Sequence, residues 1–205
     1  MKTIKLAGVL VLLAGLSLPW TAQAGKFHFP VGISYANGFQ KALDKLTDFY
    51  RQDGFDVDQV NIPVGLTLDP YYEWDNGIGV GISVGPTAFM VVQEKYFGYY
   101  YSENTEFSYA VPVGGYLRYT LFRDKNFSPY IRAGVRYPIA GGDNLGSPQV
   151  GPFGAVGVEF LRTKKVGVSV EVGYDASKVT VKYPSRGWSD KVVFPGLTAG
   201  VSVVF

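Results

Sequence analysis

The sequence predicts an all-β chain closed into an eight-stranded antiparallel up-and-down barrel, with one short amphipathic helix after the first strand. Three observations predict it. Eight stretches place bulky apolar residues on one parity and Gly, Ser, Thr or charge on the other, the period of a strand with one greasy side. The connectors between them alternate between tight turns and long polar or aromatic segments. After residue 24 no uninterrupted apolar run approaches the roughly 20 residues that a membrane helix needs.

Taken in order, residues 1–24, "MKTIKLAGVLVLLAGLSLPWTAQA", hold two lysines, an apolar core from Ala7 to about Leu18 and a small-residue Ala22-x-Ala24 site. That is the pattern of a cleaved secretory signal peptide, which leaves 25–205 as a single domain. The strands follow at about Phe27–Tyr35, Val60–Leu68, Ile78–Ala88, Phe107–Leu121, Tyr130–Ile139, Val150–Phe160, Val166–Tyr174 and Val192–Phe205. Tight turns are expected at 74–77, 123–127 and 162–165, the first carrying the Asn-Gly pair that most strongly marks a hairpin. Long loops are expected near 36–58, 90–106, 140–149 and 175–191. Within the first, Phe39, Ala42, Leu43, Leu46, Phe49 and Tyr50 recur at the spacing of one helix face, with Asn37 as a cap and Gly54 as a stop. Lys41, Asp44, Lys45, Asp48 and Arg51 fill the rest of that helix.

A water-soluble barrel would turn its apolar parity inward around a ligand. Here the other parity is mostly glycine and small polar residues, a poor solvent-facing surface and a good lumen packing. Tyr71, Tyr72 and Trp74 gather beside one turn, and Tyr96, Phe97, Tyr99, Tyr100 and Tyr101 in one loop, as interface girdles do. Both features predict a transmembrane β-barrel of an outer membrane. The termini and tight turns would be periplasmic, the long loops and the helix extracellular.

The signal peptide, the eight alternating strands and the terminal Phe205, with Val203 and Val201 at every second place before it, resemble the small eight-stranded outer-membrane barrels: the OmpA transmembrane domain, OmpX and OmpW. The resemblance implies that Phe205, Val203 and Val201 form the signal read by the barrel assembly machinery. Val203 departs from the aromatic often found at its place.

Parity turns Asp69, Arg118, Arg132, Arg136, Glu159 and Glu171 inward, three carboxylates facing three guanidiniums in a lumen that side chains nearly fill. They can form a polar gate or ion path, or a network that neutralises itself; unpaired buried charge is costly enough that mutual pairing is expected either way. His28, the sole histidine, starts the first strand and is followed by Phe29 and Pro30, so the His-x-Ser of the lipid A deacylases is absent. It is expected to be an inward rim residue with a local hydrogen bond.

Losing Lys2 and Lys5 would bring the 19 Lys plus Arg down to 17, level with the 17 Asp plus Glu, which gives no reason to expect a nucleic-acid partner. The chain has no cysteine, and the aspartates of the first loop lack calcium-loop spacing, so no metal or cofactor site is expected. The functional expectation is a non-enzymatic, monomeric outer-membrane protein in contact with membrane lipid and lipopolysaccharide, whose loops serve envelope integrity, adhesion or interaction. A narrow channel or carrier is the alternative. A lipid-modifying enzyme comes third.

Overall fold

The computed structural model describes residues 25–60, 64–97, 100–183 and 186–205, and the signal-peptide expectation for 1–24 lies outside them. In chain order the elements are β1 (Lys26–His28), β2 (Pro30–Ala36), α1 (Asn37–Gln52), β3 (Asp56–Val60), β4 (Val64–Leu68), β5 (Tyr71–Glu73), β6 (Ile78–Val84) and β7 (Thr87–Phe97). They continue with β8 (Tyr100–Thr120), β9 (Phe127–Gly142), β10 (Leu145–Gln149), β11 (Gly151–Phe160), β12 (Gly167–Asp175), β13 (Lys178–Tyr183), β14 (Trp188–Val193) and β15 (Gly196–Val204).

Eight of these close a barrel. The antiparallel order is β2, β4, β6, β8, β9, β11, β12, β15 and back to β2, where Val204 pairs with Pro30 and Thr198 with Ala36. Each wall presents an apolar side chain to the outside: Ile33, Leu66, Ile82, Leu117, Ile131, Val156, Val172 and Val201, from β2 round to β15, are all about half exposed or more. An apolar belt around the full circumference, with charge inside, inverts a soluble protein and suits a lipid surround.

Tight turns join the strands at one rim of the barrel. At the first, Trp74 and Ile78 close the hairpin, Asn76 Oδ1 accepts from the Ile78 amide at 3.0 Å, and Gly77 takes φ +82°, which an L side chain rarely adopts. At the other rim the strand expectations need correction. The segments near 90–106, 140–149 and 175–191, expected as loops, are largely strand. β7 and β8 pair from Thr87↔Ala110 out to Phe97↔Tyr100, and β3 joins their edge. β10, β13 and β14 make a separate three-stranded sheet. Outside a membrane a strand has no lipid-facing parity to fill, so backbone pairing continues where the alternation that marks it fades.

Helix α1 packs over this rim. Its Ala42, Leu43, Leu46, Phe49 and Tyr50 are buried with Leu145, Val179, Val181, Tyr183 and Phe194 in one core, which also takes in Ala36 and Ala110 at the ends of barrel strands. Phe39 lies in the helix, but its side chain is outside the described part. Asn37 is the first helical residue and does not cap it; its Oδ1 accepts from the Leu197 amide at 2.9 Å, tying the helix start to β15. Gly54, at φ +80°, follows the last turn, and its amide returns to the Arg51 carbonyl at 3.0 Å. Lys45 reaches Asp190 of β14 at 3.0 Å, and Arg186 Nε reaches Asp53 at 2.8 Å. The result is a folded cap with its own small core.

Candidate functional site

The lumen holds the chain's concentration of chemistry. Strand parity aims Tyr116, Arg118 and Thr120 of β8, Tyr130, Arg132 and Arg136 of β9, Phe153 and Glu159 of β11 and Glu171 and Asp175 of β12 at the axis. Opposite them, β2, β4 and β15 offer Ser34, Thr67, Thr198 and Ser202, small enough for the long side chains to reach across.

Nearest the tight-turn rim, Glu159 is fully buried and its Oε2 accepts from Arg118 Nη2 at 2.6 Å, Arg162 Nη1 at 2.7 Å and the Tyr71 hydroxyl at 3.1 Å. Arg162 also pairs with Glu73, which accepts from Thr120 at 2.7 Å. Arg118 lies between two rings, 3.6 Å from the centroid of Tyr130 and 4.3 Å from that of Tyr71, and its Nε donates to Thr120 at 3.1 Å. Two cations and two anions therefore close one layer.

One layer further in, Arg132 pairs with Glu171 at 2.5 Å and with Asp69 at 3.3 Å, while the Tyr130 hydroxyl donates to Glu171 at 3.0 Å. Beyond it Arg136 donates to Ser83 at 2.7 Å, lies 3.5 Å from Asp175 and stacks over Phe153. The register places Arg118 directly opposite Arg132, and their repulsion is relieved because each turns to a different acid. Tyr130 separates them, its ring packed where a Cβ at Gly157 would stand; Tyr116 fills the same relation to Gly81. Glycine beneath an aromatic on the next strand lets a wide ring lie flat inside a narrow barrel.

All six sequence-identified charges thus lie in the lumen. Five are joined in two groups, Arg118 with Glu159 and Arg132 with Asp69 and Glu171, while Arg136 has a different acid. Sequence reasoning missed Glu73, Asp175 and Arg162. The first two continue the inward parity of Asp69 and Tyr71, and of Glu171 and Gly173, just past the expected strand ends. Arg162 begins the expected tight turn at 162–165, but Leu161, at φ +58°, bends the chain so that the Arg162 side chain folds back into the barrel mouth. The described lumen holds five acids and four arginines rather than three of each.

A polar cavity of about 60 Å³, room for a few waters, lies between Arg132, Glu171 and the serine wall. At the tight-turn rim a vestibule of about 180 Å³ is lined by Lys26, His28, Glu73, Arg123 and Arg162. His28 is the inward rim residue expected, but without the expected local hydrogen bond at Nε2: its ring stacks on Tyr71 at 4.7 Å, and Nε2 is buried without a hydrogen-bond partner among the described residues. Under the cap, burial pushes the Tyr50 phenol well above its ordinary value, reinforced by its hydrogen bond to Glu106, so it stays a donor; Asn144 joins the same carboxylate at 2.5 Å. Phe205, Val203 and Val201 all face outward, partly or largely exposed. Among the described residues no group of three His, Asp or Glu is placed to hold a metal ion.

The architecture is similar to known barrels. The structure of the outer membrane protein OprG from Pseudomonas aeruginosa matches with a TM-score of 0.54 at 16% identity, over 89% of this chain and 97% of that one. Outer membrane protein W from E. coli matches at 0.48 and 17% identity, covering 90% and 99%, and Neisserial surface protein A at 0.43 and 10%, covering 88% and 96%. No curated protein matches the chain. The family described as the outer membrane protein beta-barrel domain matches residues 8–205, and to that family the chain belongs.

Proposed function

We propose that the chain is a non-enzymatic, monomeric outer-membrane protein, exported with a cleaved signal peptide, whose barrel is a closed anchor for the folded cap. Its tight turns lie in the periplasm, the cap lies on the cell surface, and the barrel assembly machinery recognises the final strand. The observation that carries this reading is the layer of Arg118, Glu159, Arg162 and Glu73, four buried side chains from β5, β8, β11 and the turn after it whose charges neutralise one another inside the lumen. Buried, mutually paired charge across the lumen favours an anchor over a conduit, and leaves the cap above it as the part that carries the protein's specific contacts. The rival reading, a narrow channel or carrier, draws on the small polar cavity beside Arg132 and on the unpartnered Nε atoms of Arg132 and Arg136 there.

Proteoliposomes decide between them. Vesicles holding the purified chain should take up small sugars and amino acids no faster than empty vesicles, where a porin control equilibrates them; saturable uptake would replace the anchor with the carrier. The mass spectrum of lipid A from cells with and without the protein should be identical, and a lost or gained acyl chain would restore an enzymatic role.

A further inference from the structure

The three-stranded sheet of the cap has two unlike faces. One is apolar: Val179, Val181 and Tyr183 of β13 and Leu145 of β10 are buried against helix α1, over the barrel axis. The other carries Lys178, Thr180 and Lys182 of β13 beside Lys191 of β14, with all three lysines exposed. Register sets their spacing. Lys191 pairs with Thr180, midway between Lys178 and Lys182, so it stands diagonally about 7–8 Å from each. Lys182 reaches over to Gly146 of β10, the partner of Thr180, where its Nζ and Cε lie against the strand.

Like charges on adjacent strands repel, and here no acid of the same face answers them. Asp190, the acid of β14, pairs with Val181 and so belongs to the opposite face, where Lys45 of the helix engages it. Among the described residues none of the three lysines has an ion-pair partner. Their position in the wall is equally specific. The outward parity of β12 runs Val168, Val170, Val172 and ends on the exposed Tyr174; Lys178 comes only a few residues later, about 10–15 Å along an extended chain, and Lys182 a further ~13 Å. Outward residues thus change from lipid-compatible, to an interface aromatic, to a cluster of unneutralised cations, in the order in which a membrane changes from acyl chain to phosphorylated headgroup.

We propose that this lysine face docks the phosphate groups of lipopolysaccharide in the surrounding outer leaflet, with Lys178, Lys182 and Lys191 as the contacts. The proposal rests on the reading that puts the cap outside the cell. Phosphate monoesters supply dense negative charge that compact, mobile ammonium groups neutralise without fixed geometry, and three lysines within one headgroup's reach act together.

The test uses the full mature chain in neutral detergent, with phosphorylated lipopolysaccharide, the same material treated with phosphatase, and inorganic phosphate as probes. The triple variant K178Q/K182Q/K191Q should bind phosphorylated lipopolysaccharide at least tenfold more weakly than wild type and with a shallower salt dependence. The variant K125Q/K164Q/K165Q, on the tight-turn rim, should bind as wild type does. Phosphatase treatment should reduce wild-type binding to the level of the triple variant, and millimolar inorganic phosphate should displace little, since it offers one contact at a time. Circular dichroism confirms that both variants fold. Unchanged binding by the triple variant, equal loss in the two variants, or indifference to phosphatase would overturn the proposal; the first would leave an acidic protein as the partner of this face. A cysteine at Asp48, exposed on helix α1 and away from the lysine face, probed in intact cells with an impermeant reagent, separates the two levels: no labelling overturns the outward cap itself, while labelling with unchanged binding overturns only the docking.

Discussion

Replacing Glu159 with alanine removes the acceptor shared by Arg118, Arg162 and Tyr71. The carboxylate is fully buried, and so are most of the atoms around it, so water does not fill in for it cheaply. Removing one partner of a buried pair costs about 3–5 kcal/mol, because the cation left behind keeps its desolvation penalty. Two features reduce that here. Arg162 retains Glu73, and Arg118 retains Thr120 and the faces of Tyr71 and Tyr130. The expected loss is therefore near the lower limit, about 3 kcal/mol. Glu159→Gln preserves the shape and one acceptor and should lose less, and the double variant E159A/R118A should be more stable than the sum of its parts because it strands no charge on Arg118. Urea unfolding in lipid vesicles, followed by the fluorescence of Trp74 and Trp188, gives each value. A loss below about 1 kcal/mol for E159A, the range of solvent-screened pairs, would show that the lumen is wet and that the plug reasoning fails.

Other substitutions address other levels of the structure. Leu46→Ala, in the wholly buried core of the cap, should cost about 2–5 kcal/mol of local stability, seen as faster protease cleavage within 37–55 while the barrel strands stay protected. Gly157→Val puts a side chain where the Tyr130 ring lies, so it should displace that ring from Arg118 and destabilise the barrel by about 1–3 kcal/mol, measured by the same urea unfolding. Ile131→Arg, at the outward middle of β9, should destabilise the protein in bilayers by about 2–4 kcal/mol; in a soluble barrel an exposed position would tolerate it, so a loss under about 0.5 kcal/mol would remove the lipid-facing belt from the account.

The barrel was legible because each strand there separates two solvents. Ile33, Leu66, Ile82 and Leu117 had to meet lipid and their neighbours a narrow lumen, and that demand writes a period of two into the sequence. The same rule hid the cap. In "KVTVKY" the alternation is present in Val179, Val181 and Tyr183, but eight strands already closed the barrel and nothing required a second sheet. The β7–β8 extension carries no such demand and read as an aromatic loop. In the lumen, parity located Asp69, Arg118, Arg132, Arg136, Glu159 and Glu171, because inward direction depends only on odd or even position. Which acid each arginine takes depends on rotamers and register across several strands, and Arg162 depends on the backbone bend at Leu161, none of which has a local signature. Tyr71 reads as a girdle residue in the sequence, and Tyr116 and Tyr130 carry no local signal of their own, since an inward tyrosine opposite a glycine on the next strand shows only once the register is known.

The central claim is that the charges of the lumen close it, and single-channel recording tests that most directly. Purified wild-type protein, inserted in planar bilayers in 1 M salt at moderate voltage, should give no steady current steps above the bare membrane, because the Arg118, Glu159, Arg162 and Glu73 layer is held by pairs too buried for salt to screen. Regular, long-lived openings of uniform conductance would contradict it and make the chain a channel.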